Sequence, residues 1–329
     1  TMNTSDNQPF PVADDRRHPP YRSARTLILT LCFMWSVFQL YVASVVPFVL
    51  TEWTGLSLVF NNQEVRQIHL AFAFALAMLA YPLNKQSPGA QTPWYDYAAA
   101  MIAATSCLYL LVFKDQISDR AGLPTDSDLW ISAIGMLSLA LALYRCLGLP
   151  LLIVCSCFLF YVFFGDQSFM PDTMQWKGAS LNKALWHFWM QTEGVFGVAL
   201  GVASSMIFLF VLFGALLEKA GAGIYFIRLA YALLGHLRGG PAKAAVVASG
   251  LSGIYSGSSI ANVVSTGTFT IPLMKKTGLT AEKAGAIEVA ASTNGQLTPP
   301  VMGAAAFLIA EFTGISYLDL ITHAVLPAI

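Results

Sequence analysis

Two stretches of this 329-residue sequence carry side chains suited to chemistry in an apolar setting. The first is Tyr255-Ser256-Gly257-Ser258-Ser259, with Asn262 three residues on. The second is Ser292-Thr293-Asn294-Gly295-Gln296-Leu297-Thr298-Pro299-Pro300. Serine and threonine hydroxyls and the asparagine carbonyl are neutral oxygen ligands. Glycine frees the backbone to turn, and two adjacent prolines remove two amide donors and stop or kink a helix. Neutral oxygens with few charges suit a weakly bound, exchangeable monovalent cation such as Na⁺. A plainer reading is that the small residues only allow helices to pack closely. Glu288 is a candidate buried carboxylate, whereas Glu282 and Glu311 read as interfacial. His69, His187 and His323 stand alone and read as structural. There is no nucleophile with a paired base, no zinc spacing and no phosphate loop.

The flanking segments say how these residues are held. Apolar arms at 244–254 and 260–271 surround the first stretch, each about 17 Å long at 1.5 Å per residue. Neither arm crosses a hydrocarbon core of about 30 Å. One continuous span broken at its centre is an alternative to a re-entrant hairpin over residues 241–274. Lys243 at one foot, with Lys275 and Lys276 at the other, favours a hairpin opening to the cytoplasm. The second stretch interrupts a helix that runs from 281 to 291 and resumes at 301, a broken helix over 281–312. Unpaired backbone groups in lipid cost several kcal/mol each, so breaks survive only where protein or a water-filled cavity covers them. Two consecutive interrupted segments are the sequence pointer to a midplane binding site in secondary transporters.

The rest of the chain agrees with a membrane setting. It is 56% hydrophobic and only 11% charged, against about 25% charged in soluble domains, and its mean hydropathy is +0.61. The formal net charge is zero, which gives no basic footprint for nucleic acid. Spans are expected at 26–50, 68–83, 94–113, 129–144, 149–164 and 195–217. Arg16, Arg17, Arg22 and Arg25 put the N-terminus in the cytoplasm. The polar residues before Arg16 contain no apolar core, so no cleavable signal peptide is expected. Lys85, Arg145 and Lys219 mark inner ends. The loop 114–128, with four aspartates against one lysine and one arginine, lies outside. In the outer loop 165–193, Trp176, Trp186 and Trp189 read as interfacial anchors. Residues 222–237 read as an amphipathic helix along the cytoplasmic surface. The five cysteines read as small apolar fillers.

The segments AAVVASGLSGIYSGSSIANVVSTGTFTIPLMKKTG and EVAASTNGQLTPPVMGAAAFLIAEFTGI resemble the fused membrane subunit of tripartite ATP-independent periplasmic (TRAP) transporters. GVFGVALGVASSMIFLFVLFGALLEKAGAG and RQIHLAFAFALAMLAYPL share the resemblance, which covers nearly the whole chain after about residue 26. It implies an all-α integral membrane protein with polytopic helices. A re-entrant helical hairpin and a discontinuous helix would form the first inverted repeat of an elevator-type transporter. It further implies a polar tail over 1–25, a small-subunit-like region over 26–125 and the first part of a large transport subunit over 126–329. Such proteins are sodium-coupled importers of small organic anions, fed by a periplasmic solute-binding protein, often of the TAXI type, at the bacterial inner membrane.

Carried over residue by residue, the resemblance implies a Na⁺ site from Ser256, Gly257, Ser258, Ser259 and Asn262, completed by Thr293, Asn294 and Gly295. Ser258, Ser259, Thr293, Thr298 and Pro299 would then lie near the substrate. Many unfused relatives carry an acidic residue where Asn262 stands, so this site is less negative. Family members have two inverted repeats and only one set is seen here, so the chain is expected to be the N-terminal part of a longer protein. A binding-protein-independent sodium/divalent-anion symporter is the alternative within the class. A membrane-embedded enzyme is disfavoured, since residues 200–303 contain no aspartate.

Overall fold

The computed structural model describes residues 22–81, 83, 92–120, 122–168 and 170–328. The orientation cues at Arg16, Arg17 and Lys85 and most of the polar tail lie outside these residues. The described residues are helices and turns, without a strand. Helices at Ala24–Ala43, Trp94–Val112, Asp126–Leu147 and Val198–Lys219 are long and apolar enough to cross a membrane, and shorter apolar helices lie at Leu149–Phe164, Ala222–Leu234 and Ala304–Thr313. The chain divides into two units, Thr1–Ser204 and Ser205–Ile329.

In the first unit, α1 (Arg22–Ala43) ends earlier than its expected span, and a separate short helix, α2 (Val46–Thr54), follows. Pro47 causes no loss there, because it occupies the first turn, where its missing N–H has no helical acceptor. Helix α3 (Asn62–Ala80) starts six residues before the expected 68. Its start is a capping box: Asn61 Oδ1 accepts from Glu64 N, and Glu64 Oε2 accepts from Asn61 N, both at 2.9 Å. Helix α4 is Trp94–Val112, and a short α5 (Lys114–Asp119) follows. The next helix, α6 (Asp126–Leu147), starts on a second capping box, Thr125 with Asp128, and so reaches back into the expected loop. Gly148, at φ 85°, separates α6 from α7 (Leu149–Phe164).

Trp186 and Trp189 are not interfacial. They follow α8 (Leu181–Leu185) in a π-helical turn, Trp186–Met190, and both are buried. The Trp189 indole stacks on Phe74 at 6.4 Å and donates its N–H to Ser106 O. It lies over Gly135, where a Cβ would come within 2.1 Å of the ring. Bulk at 189 is thus accommodated by its absence at 135. Arg145 does not end its helix freely either. It is buried and pairs with Asp96 of α4 at 2.7 Å, while also donating to Met78 O and Tyr81 O. His69 reaches Gln39 within 2.6 Å, in keeping with a structural role. Large apolar side chains such as Leu29, Phe33 and Phe158 remain exposed, as a lipid-facing surface requires.

A short helix, α9 (Val198–Val202), closes the first unit, and the second unit opens with α10 (Phe208–Lys219). Then come α11 (Ala222–Leu234), α12 (Gly240–Ser256), α13 (Ser259–Lys276), α14 (Ala281–Asn294), α15 (Ala304–Thr313) and α16 (Tyr317–Ala328). Helices α12, α13 and α14 pack on one another, and α11 packs on α12. Alanines make this possible: Ala230, Ala244 and Ala248 form one buried contact, and Ala245 with Ala284 and Met274 another.

Candidate functional site

Helices α12 and α13 are joined by two residues, and the sequence explains both. Gly257 ends α12 in the left-handed region at φ 58°, a conformation that costs other residues about 1–2 kcal/mol. Ser258 then caps α13, its hydroxyl accepting from Ala261 N at 3.3 Å. The SGSS run is therefore a stop followed at once by a start. The arms contain 17 and 18 residues, not 11 or 12, and reach about 25 Å. Their length alone no longer excludes a crossing. What sets the pair apart is the turn between them.

The second break is also narrower than its composition suggests. Helix α14 runs through Ser292 and Thr293 to Asn294, and the gap is 295–303. Turn hydrogen bonds bridge it: Leu297 N to Asn294 O at 2.9 Å, and Gly303 N to Gln296 O at 2.8 Å. The gap meets the hairpin at two points. A Cβ on Gly253 would stand 2.5 Å from Gly295 Cα, and one on Gly257 would stand 2.3 Å from Met302 O. Gln296 Nε2 donates to Ser259 Oγ at 2.9 Å, joining the gap to the first turn of α13.

Asn262 is fully buried between these segments. Its Nδ2 donates to Ser249 O at 2.8 Å and lies 2.9 Å from Ser249 Oγ, while its Oδ1 is buried with no hydrogen-bond partner. The Ser256 hydroxyl is buried and unpartnered as well. Leaving a buried polar group unsatisfied costs about 1–3 kcal/mol, so two such oxygens on the arms flanking one turn suit a cation. Oxygens of this neutral kind are what a Na⁺ site in an unwound segment uses.

Of the residues expected in one Na⁺ site, Asn262 and Gly295 come together, the Asn262 amide lying 3.0 Å from where a Gly295 Cβ would be. Ser259 contacts the gap through Gln296. Ser256 and Ser258 lie at the hairpin joint beside Gly257. Thr293 is exposed and donates to Val289 O, and Asn294 donates its amide to Ala328 O, so neither side chain bonds to the hairpin tip. Thr298 donates to Asn294 O inside the gap, and Pro299 is half-buried there. Ser249 belongs to the assembly but did not stand out in the sequence, and Ser292 and Gln296 of the second stretch join it without having been expected in the ion site. Ser249, Ser252 and Ser256 recur at three- and four-residue spacing, which places them on one face of α12. That stripe was the available signal.

Two interrupted helices that meet at their interruptions, in an apolar all-helical chain, define a polytopic membrane protein built around a covered break. The chain belongs to the family described as tripartite ATP-independent periplasmic transporter, DctM component, which matches residues 134–329. It is 40% identical over 91 residues to the C4-dicarboxylate TRAP transporter large permease protein DctM of Vibrio cholerae, covering 28% of this chain and 20% of the relative. It is 36% identical over 109 residues to the protein of the same description from Pseudomonas aeruginosa, covering 33% and 26%. The uncharacterized protein YgiK of Salmonella typhimurium is 35% identical over 91 residues, covering 28% and 21%. The matches thus span about a fifth to a quarter of the length of these curated relatives. No solved structure matches the chain.

Proposed function

We propose that this chain is part of the membrane permease of a sodium-coupled importer of small organic anions, with C4-dicarboxylates the first class to test. The observation that carries the reading is the seam where Gly253 and Gly257 of the hairpin close on Gly295 and Met302 of the gap, with Asn262 Oδ1 buried and unpartnered beside it. Asn262 and Ser256, with backbone at Gly257 and Gly295, would hold Na⁺. The remaining expected residues, Ser258, Ser259, Thr293 and Asn294, would shape its surroundings. Bound Na⁺ supplies positive charge at the turn, where an anionic substrate is otherwise drawn only by neutral dipoles. The substrate would lie near Ser258, Ser259, Thr298 and Pro299.

The names of the relatives support the substrate class, because DctM proteins of V. cholerae and P. aeruginosa are described as C4-dicarboxylate permeases. The hairpin is read as re-entrant from the cytoplasm: Lys243, Lys275 and Lys276 are exposed at its feet, away from the turn. We place the protein in the bacterial inner membrane with its N-terminus in the cytoplasm. Residues 26–125 are assigned a small-subunit role, and 126–329 the first part of the transport subunit. A periplasmic binding protein, of the TAXI type if the fused resemblance holds, would deliver substrate.

The test is uptake of a labelled C4-dicarboxylate by the complete protein in proteoliposomes. Uptake is expected only with both the binding protein and an inward sodium gradient. Equal uptake with potassium replacing sodium would overturn the coupling, and equal uptake without binding protein would favour a self-sufficient symporter.

A further inference from the structure

Glu288 is fully buried on α14, one turn before Ser292, and none of the ion pairs among the described residues includes it. The lysines of α12, α13 and α14, which are Lys243, Lys275, Lys276 and Lys283, are exposed. Hydroxyls hold Glu288 instead. Thr266 Oγ1 donates to Oε1 at 2.5 Å, Thr270 Oγ1 to Oε2 at 2.5 Å, and Ser292 Oγ to Oε1 at 3.3 Å. All three are donors, which suits a carboxylate, since it only accepts. Neutral hydroxyls offset its lost hydration but not its charge, and buried charges are ordinarily paired or coordinate a metal.

The hydroxyls lead from this carboxylate to Asn262, and counting hydrogens fixes their direction. Ser292 has one hydroxyl hydrogen and gives it to Glu288, so it accepts in its 3.0 Å contact with Ser249 Oγ. Ser249 therefore donates to Ser292, and in turn accepts from Asn262 Nδ2 at 2.9 Å. The other Nδ2 hydrogen goes to Ser249 O at 2.8 Å, a carbonyl oxygen that can only accept, which sets the orientation of the amide. Every hydrogen along the chain thus points toward Glu288. Ser249 has none left for Asn262 Oδ1, and that oxygen stays buried without a partner. The carboxylate imposes this direction, because it can take a hydrogen bond and cannot give one.

We propose that Glu288 is a positioning residue of the candidate cation site. It anchors the chain that leaves Asn262 Oδ1 open to the ion, and its negative charge balances the ion's positive one. This role rests on the sodium site proposed above, and it adds to that site a charged group two hydroxyls away from Asn262. An amide at position 288 would remove the charge and reverse the chain. Its N–H would donate to Ser292, Ser292 to Ser249, and the hydrogen of Ser249 would be freed beside Asn262.

The experiment is thermal unfolding of the complete protein in detergent over a series of sodium chloride concentrations, with potassium chloride holding the ionic strength constant. Wild type is compared with Glu288→Gln and Ser292→Ala. Melting in potassium alone reports structural loss, and the sodium concentration at the midpoint of the further rise reports the site. Glu288→Gln is expected to need at least about tenfold more sodium, the scale on which one unit charge acts through a low-dielectric interior. Ser292→Ala, which cuts the chain but keeps the charge, is expected to need several-fold more, and decides the matter if Glu288→Gln does not fold. A wild-type midpoint in the variants would overturn the role of Glu288 and leave the sodium site standing. No sodium-specific rise in the wild type would overturn the sodium site and this role with it.

Discussion

Gly253→Ala is expected to abolish transport, lowering uptake by the complete protein at least about tenfold, whereas Gly250→Ala on the same helix leaves uptake near wild type. The contrast follows from what a methyl group meets. At Gly253 it would stand 2.5 Å from Gly295 Cα and 2.8 Å from Gly295 O, whereas at Gly250 nothing lies within 4 Å. Backbone atoms cannot swing aside as a side-chain end can, so the hairpin must lift from the gap. Overpacking of this kind costs typically ~1–3 kcal/mol, and a loss of 1.4 kcal/mol is about tenfold in an equilibrium. Both variants gain the same helix propensity, about 1 kcal/mol for glycine to alanine in a helix interior. Any difference between them therefore reports the contact. Equal activity of the two, measured as initial uptake rates at matched protein levels, would mean that the seam is not part of the transport core.

Asp96→Asn is expected to destabilise the first unit by about 3–5 kcal/mol, the usual result of removing one member of a buried ion pair. Arg145 would keep its donations to Met78 O and Tyr81 O. It would nevertheless lose its charge partner, 2.7 Å away, in a place almost closed to solvent. The double variant Asp96→Asn with Arg145→Met removes both charges and is expected to recover much of the loss. Thermal unfolding in detergent checks both. If the single variant melts with the wild type, water or a lipid headgroup reaches Arg145.

The sequence was most informative where local chemistry alone decides structure. Gly257 followed by Ser258 ends one helix and begins another, and the structure places the joint there. The second break was legible in kind but not in extent. Ser292, Thr293 and Asn294 look like loop residues by composition, yet they complete the last turn of α14, because Ser292 is buried against Ser249 and Thr293 bonds back to Val289 O. Composition cannot see a partner 43 residues away. The same limit applied to Trp186, Trp189 and Arg145. Near the ends of apolar runs they read as interface markers, whereas Gly135 and Asp96 draw two of them inward. Helix starts were missed for a different reason. The capping boxes at Asn61 and Thr125 recruit polar residues into helices that an apolar pattern alone begins later. Within the candidate site, the stop-and-start at 257–258 was readable, but the stripe Asn262, Thr266, Thr270 opposite Glu288 needed the packing of α13 on α14 to become visible.

In the function proposed above, the hairpin and the gap hold a sodium ion through Asn262. The most direct measurement is the melting temperature of the complete protein in sodium chloride against potassium chloride of equal ionic strength, for wild type and Asn262→Ala. A ligand that binds only the folded state stabilises it by RT ln(1 + [L]/Kd), about 2.7 kcal/mol at a hundredfold excess over Kd. The wild type is expected to melt higher in sodium than in potassium, and Asn262→Ala to lose that difference while still folding. A sodium-specific rise of the same size in both proteins would contradict the claim and put the ion elsewhere.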